Sequence, residues 1–215
     1  MNMRIGIIGS GTVAHTLAKG LSTHGHSVMV GSRDPAKLAG LAKEAPAVQT
    51  GTMEDAAGFA ELAILAVKGT AAEAALGLVG GRLAGKTLID ATNPIADQPP
   101  VNGVLQFFTG PNDSLGERLQ RAFPEVKLVK AFNSVGAPVM INPSFGSERP
   151  TMFIAGNDGG AKQAVSTLLE SLGWEALDMG AIEAARAIEP LCQLWCIPGF
   201  LRNDWVHAFR WLRPR

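Results

Sequence analysis

The chain has 215 residues, 47% hydrophobic and 18% charged, which supports a substantial core and excludes a disordered chain. Lys+Arg and Asp+Glu both number 19, so the formal net charge is zero and nothing electrostatic points to a nucleic acid partner. There is no tyrosine, which excludes every mechanism that takes its proton from a phenol, including short-chain dehydrogenase and aldo-keto reductase chemistry.

Arg4–Ile8 reads as a short apolar strand that follows directly on the first residues and leaves no room for a signal peptide. No apolar run approaches the ~20 residues of a membrane span, so the expected location is cytoplasmic. Gly11 to His24 reads as a helix with Val13, Ala14, Leu17, Ala18 and Leu21 on one face, closed by Gly25. Ser27–Val30 is the next strand. Asp34-Pro35 opens a helix, with Asp34 as N-cap and Pro35 in the first helical position. Leu62–Val67 is a continuous apolar run suited to a buried parallel strand, Thr70–Val79 an Ala-rich helix, and Lys86–Asp90 another strand. Residues 93–112 form a long Pro-, Gly- and Asn-rich loop, Ser114–Ala122 a helix and Val126–Ala131 a strand. After a turn-rich stretch the alternation restarts: strand Thr151–Ala155, a helix faced by Ala161, Val165, Leu168 and Leu172, and strand Trp174–Leu177. From Ala181 the chain reads as helical until Pro198-Gly199 breaks it, and a last amphipathic segment carries Trp205, Phe209 and Leu212. The expected fold is an α/β, Rossmann-type doubly wound parallel sheet with a small C-terminal α/β appendage: residues 1–150 bind the dinucleotide, and residues 151–215 serve the acceptor site or dimerisation.

Gly9-Ser10-Gly11-Thr12-Val13-Ala14 is a G-x-G-x-x-A turn between a strand and a helix, the context that makes such a pattern a dinucleotide fingerprint rather than a plain tight turn. Gly9 permits the turn, Gly11 lets the backbone approach a pyrophosphate, and Ala14 keeps the helix close to the sheet. The end of the second strand then selects the cofactor. An acidic residue there would grip a ribose 2′-hydroxyl, but Asp34 is better placed as a cap, and Ser32, Arg33 and Lys37 make a 2′-phosphate site. NADP is therefore expected. Val67 and Lys68, Asn93 and Pro94, and Asn133 each follow an apolar strand and could face the nicotinamide and its ribose, or simply turn the chain. Trp195, Pro198 and Phe200 flank the expected helix break and are candidates for the acceptor's ring; packing or a homodimer contact is the competing role for Trp205, Phe209 and Trp211. Cys192 and Cys196 share a helix face, read as reduced thiols, and no metal site is expected.

Together these segments carry a resemblance. Ile5-Gly6-Ile7-Ile8-Gly9-Ser10-Gly11, Gly31-Ser32-Arg33-Asp34-Pro35, Asp90-Ala91-Thr92-Asn93-Pro94, Lys130-Ala131-Phe132-Asn133 and Leu177-Asp178-Met179-Gly180 recur in that order. The chain resembles the NADP-dependent 8-hydroxy-5-deazaflavin (coenzyme F420) oxidoreductases and the cytoplasmic reductase domain of the six-transmembrane ferric reductases. The resemblance implies a Rossmann domain, a small C-terminal domain, a 2′-phosphate held by Ser32, Arg33 and Lys37, and a flavin-type ring stacked on the nicotinamide.

The function expected is hydride transfer between NADP(H) and a flavin or deazaflavin acceptor, a small molecule rather than a membrane or nucleic acid partner. Such chemistry needs stacking and orientation more than acid–base side chains, and no individual catalytic residue is singled out. The alternatives are an NADPH-dependent reductase of a small carbonyl or imine, which needs a placed proton donor, and a non-catalytic NADP-binding redox sensor.

Overall fold

The structure, a computed structural model, describes residues 2–214. In chain order its elements are β1 (Arg4–Ile8), α1 (Thr12–Thr23), β2 (Ser27–Ser32), α2 (Ala39–Glu44), β3 (Gln49–Thr52), α3 (Met53–Phe59), β4 (Leu62–Leu65), α4 (Ala72–Val79), β5 (Thr87–Asp90), α5 (Leu115–Ala122), β6 (Lys127–Lys130), β7 (Thr151–Gly156), α6 (Gly159–Ser171), β8 (Glu175–Asp178), α7 (Ala185–Ile188) and α8 (Pro190–Arg202). The strands form one sheet in the order β3-β2-β1-β4-β5-β6-β7-β8. β1 to β6 run parallel, β7 is antiparallel to β6, and β8 is parallel to β7. This is the Rossmann-type doubly wound arrangement, and the C-terminal segment extends its sheet.

Alternation along each strand feeds two cores. Ile5, Ile7 and Ile64 pack with Leu17, Leu21, Leu168 and Trp174 on one face, while Ile8, Leu65, Leu88 and Leu128 pack with Leu76 and Leu119 on the other. The buried residues of α1 are Ala14, Leu17, Ala18 and Leu21, as its periodicity predicts. No described helix is long and apolar enough to cross a membrane.

Three features depart from the sequence reading. β3 and α3 were not foreseen. Gln49-Thr50-Gly51-Thr52 holds no large apolar residue because it lies at the sheet edge, and α3 is launched by a Thr52–Asp55 capping box. Asp34-Pro35 opens a 3-10 turn over Pro35–Leu38 before α2, with the Asp34 carboxylate accepting from the Ala36 N–H at 3.2 Å. At the C-terminus, Pro198-Gly199 does not break the helix: α8 runs through it to Arg202 and ends at Asn203, which has φ 54°. Proline forfeits one helical hydrogen bond, but the returning tail covers this turn. Trp205 lies so close over Gly199 that an added Cβ would fall 2.3 Å from its ring. The tail itself is not a helix. Residues 203–214 run without regular structure, tied to β7 where Thr151 N–H donates to the Phe209 carbonyl at 2.9 Å. The helical spacing of Trp205, Phe209 and Leu212 is thus coincidental: Phe209 packs near Phe153, and Leu212 is exposed.

Candidate functional site

Two adjoining clefts open beyond the carboxyl ends of the strands, where open α/β sheets take their ligands. The first, about 460 Å³, is lined by Gly9 to Val13, Ser32 to Asp34, Lys37, Met53, Val67, Lys68 and one face of α4. Gly9 has φ +135°, and a Cβ there would lie 2.2 Å from the Ala66 carbonyl oxygen, so the turn needs glycine. Gly11 differs. A Cβ on it would meet nothing within 4 Å and would project into the open cleft. No side chain caps α1, so the amides of its first turn have no side-chain acceptor. Those amides, beside a glycine whose missing side chain leaves room, fit a pyrophosphate.

At the end of β2 the Ser32 hydroxyl is buried, donates to Ser10 Oγ at 3.2 Å and accepts from Asp34 N–H at 3.2 Å. Arg33 and Lys37 are exposed at the same rim. The one carboxylate there, Asp34, is engaged as a cap, as its sequence context suggests. Two cations and a hydroxyl, against one carboxylate that already accepts from its own turn through Oδ1, fit a phosphorylated ribose better than a diol. Met53, Ala71, Ala74, Ala75 and Leu78 complete the wall with apolar surface. They went unrecognised in the sequence, where an Ala-rich helix face looks like any other core-facing helix.

The second cleft, about 560 Å³, is bounded by Val67 to Gly69, Ala91 to Asn93 and Ile95 to Gln98. It shares Val67, Lys68 and Ala91 with the first. Gly69 sets its floor, because a Cβ there would lie 1.9 Å from the Asn93 carbonyl oxygen. Lys68 and Asp97 face each other at 3.9 Å, both largely exposed.

Other expected site residues are placed behind this surface. Pro94 is buried and its carbonyl accepts from Phe108 N–H at 2.9 Å. Asn133 is 3% exposed; its amide nitrogen donates to the Ile188 carbonyl at 2.9 Å, while Asn93 Nδ2 donates to the Asn133 carbonyl at 2.8 Å. Asn133 therefore lies beneath Asn93 rather than in a cleft wall. Trp195, Pro198 and Phe200 line neither cleft. Trp195 is 7% exposed, donates from Nε1 to the His207 carbonyl at 2.8 Å and stacks on the His207 ring at 4.8 Å. Phe200 packs edge-on against Trp205 at 5.2 Å. The geometry gives these aromatics the work of fastening the tail.

Beneath the second cleft lies a buried ionic network that local sequence patterns did not reveal. Lys130 Nζ reaches Asp90 Oδ2 at 2.9 Å, Glu189 Oε1 at 2.8 Å and the Thr92 carbonyl at 2.6 Å, all three ionised side chains being at most 1% exposed. Asp90 also accepts from Thr92 N–H and Oγ, and Glu189 accepts from the first amides of α5, Leu115 and Gly116, at 2.9 Å each. Burial alone would lower the Lys130 ammonium's pKa, but Asp90 and Glu189 together hold it above the ordinary lysine value. The network ties the loop that begins at Thr92 to β6, α5 and α8.

The family described as NADP oxidoreductase coenzyme F420-dependent matches residues 4–94. The F420-dependent NADP reductase of Methanothermobacter marburgensis is 32% identical over 204 residues, covering 89% of this chain and 90% of that one. Metalloreductase STEAP3 of Rattus norvegicus is 34% identical over 203 residues, but the chain spans only 39% of that protein's length. The crystal structure of a candidate F420-dependent NADP-reductase from Arthrobacter sp. FB24 superposes with a TM-score of 0.91 at 36% identity, covering 98% of this chain and 100% of that one. Imine reductases, such as the one from Streptomyces aurantiacus at 16% identity and a TM-score of 0.67, share the fold alone. The glycine turn, the cationic rim of β2 and the full-length likeness converge: the chain belongs to the F420-dependent NADP reductase family and is an NADP-dependent oxidoreductase.

Proposed function

We propose that the protein transfers hydride between NADP(H) and a flavin or deazaflavin acceptor, the dinucleotide lying along the first cleft and the acceptor in the second. One observation carries this reading: the two clefts meet at Val67, Lys68 and Ala91, so two ligands filling them would touch there. Gly9, Ser10, Gly11, Thr12 and Val13 receive the pyrophosphate on backbone amides. Ser32, Arg33 and Lys37 hold the 2′-phosphate by charge-assisted hydrogen bonds. Val67, Lys68 and Asn93 border the nicotinamide end. The bound nicotinamide supplies hydride at C4, and the acceptor ring takes it with a proton from solvent. The protein's part is orientation. Gly69 against Asn93 fixes the floor, and Lys130 fixes the Thr92 carbonyl, so both clefts keep their relative position when ligands enter.

The test is an acceptor screen with NADPH: riboflavin, FMN, FAD, 8-hydroxy-5-deazaflavin and ferric chelates. Steady NADPH oxidation with a ring acceptor supports the reading. Turnover of only carbonyl or imine compounds would replace it with a conventional reductase, and NADPH binding without turnover would make the protein a sensor.

A further inference from the structure

Neither cleft uses the two cysteines, the only ones in the chain. Both stand on α8, four residues apart, so Cys192 and Cys196 share one face on successive turns. Cys192 is buried, 6% exposed, and Cys196 is half-buried. The Cys192 thiol donates to the Cys196 sulfur, which favours a thiolate there and holds the Cys196 pKa below the ordinary cysteine value. That same bond, and then burial, push the Cys192 thiol up. The pair is unequal: one accessible sulfur with thiolate character, and one sheltered sulfur bonded to it. In a regular helix such Cβ atoms lie about 5–6 Å apart, whereas a disulfide needs about 3.5–4.5 Å. The turn must therefore tighten by about 1–2 Å to close one. α8 is weakened next to this turn, because Pro198 has no N–H to give the Leu194 carbonyl.

We propose that Cys192 and Cys196 form a reversible modification site for hydroperoxides: Cys196 is oxidised first, and Cys192 then closes a disulfide across one turn of α8. The Cys196 sulfur takes one oxygen from the peroxide, whose O–O bond breaks, giving a sulfenic acid and water. Cys196 then no longer accepts the Cys192 proton, which removes the first cause of the raised Cys192 pKa, while the Lys130 ammonium still favours its thiolate. The Cys192 sulfur attacks the Cys196 sulfur. The S–S bond forms, the S–O bond breaks, and the oxygen leaves as a second water. Two thiols lose two electrons and the peroxide gains them. A disulfide that tightens a helical turn is strained, so an external dithiol reduces it readily.

The consequence lies one turn back along α8. Cys192 N–H donates to the Glu189 carbonyl at 2.9 Å, and the Glu189 carboxylate holds Lys130 and the Leu115 and Gly116 amides. Tightening the turn pulls on Glu189, so the disulfide form loosens the start of α5.

The experiment treats the full chain with a modest molar excess of hydrogen peroxide, blocks remaining thiols with N-ethylmaleimide and reads the intact mass. The expected result is the loss of two hydrogens, no alkylation, and full reversal by dithiothreitol. With only two cysteines in the chain, that mass change has one assignment. Hydrogen–deuterium exchange of the oxidised protein should be about threefold to tenfold faster over residues 113–118 and 190–202, and should revert on reduction. Cys192→Ala should instead trap a sulfenic acid at Cys196, labelled by dimedone, and Cys196→Ser should leave Cys192 unoxidised at the same dose. Three results for the unmodified protein overturn the site: oxygen retained on Cys196 in place of the disulfide, a disulfide between two copies, or thiols that remain open to alkylation. A disulfide that leaves exchange over residues 113–118 unchanged overturns the link to Glu189.

Discussion

Lys130→Met removes the only cation within hydrogen-bonding reach of Asp90 and Glu189 among the described residues and keeps an unbranched side chain one atom shorter. All three contacts of Nζ are lost, at 2.9, 2.8 and 2.6 Å, while two carboxylates stay buried. Each keeps other partners: Asp90 its two bonds from Thr92, and Glu189 those from Leu115 and Gly116. Breaking a buried pair by removing one partner costs about 3–5 kcal/mol, because the survivor is left as an uncompensated buried charge. For a domain of this size that is a fall in Tm of roughly 6–20 °C. Urea unfolding followed by circular dichroism gives the free energy, and a thermal melt gives Tm. The pH dependence is specific. In the native protein the raised lysine pKa contributes stability that is complete below the unfolded value of 10.5 and lost only as pH rises through the higher folded value, so it is constant around neutrality. A loss below about 1 kcal/mol would refute the buried network as a stabilising tie.

Arg33→Ala should weaken NADPH binding by about 1.5–3 kcal/mol and leave NADH nearly unaffected; equal losses for the two by calorimetry would remove Arg33 from the 2′-phosphate site. Gly11→Val should abolish NADPH binding in a folded protein, because its side chain enters open cleft, whereas Gly9→Val should unfold the turn against the Ala66 carbonyl. Circular dichroism and NADPH titration of the pair test this, and normal affinity in a folded Gly11→Val protein contradicts the pyrophosphate assignment. Cys196 should alkylate before Cys192: a hydrogen bond from the Cys192 thiol lowers the Cys196 pKa, while that same bond and then burial raise Cys192's. Mass spectrometry after brief iodoacetamide treatment reads the order, and Cys192 modified first would contradict it.

Local chemistry made much of this molecule legible. The strand–glycine–helix turn at Gly9, the Asp34-Pro35 cap and the apolar β4 carry their signals within a few residues. β3 escaped because an edge strand need not be apolar, and its residues Gln49 to Thr52 are polar or glycine. The C-terminal tail was misread because helical spacing is only a necessary condition for a helix. Trp205 sits on Gly199 and Phe209 beside Phe153, a tertiary arrangement that overrides the spacing. The ionic network joins residues 40 and 59 positions apart in sequence, from Asp90 to Lys130 and Lys130 to Glu189, with no local signature. Part of the second cleft was visible as Val67, Lys68 and Asn93. Its outer wall, Ile95 to Gln98, lay in a segment that read only as a long loop.

The central claim is direct hydride transfer between ligands that meet at Val67, Lys68 and Ala91. The most direct measurement is anaerobic reaction of NADPH, deuterated at the transferring C4 position, with 8-hydroxy-5-deazaflavin and, separately, riboflavin. The carbon-bound hydrogen at deazaflavin C5 does not exchange with water, so it records where the hydride came from. The account predicts one ring reduced per NADPH oxidised, a slower reaction with the deuterated cofactor, and deuterium retained at C5 of the deazaflavin. NADPH that binds yet reduces neither ring would contradict it, as would reduced deazaflavin that carries only solvent hydrogen at C5.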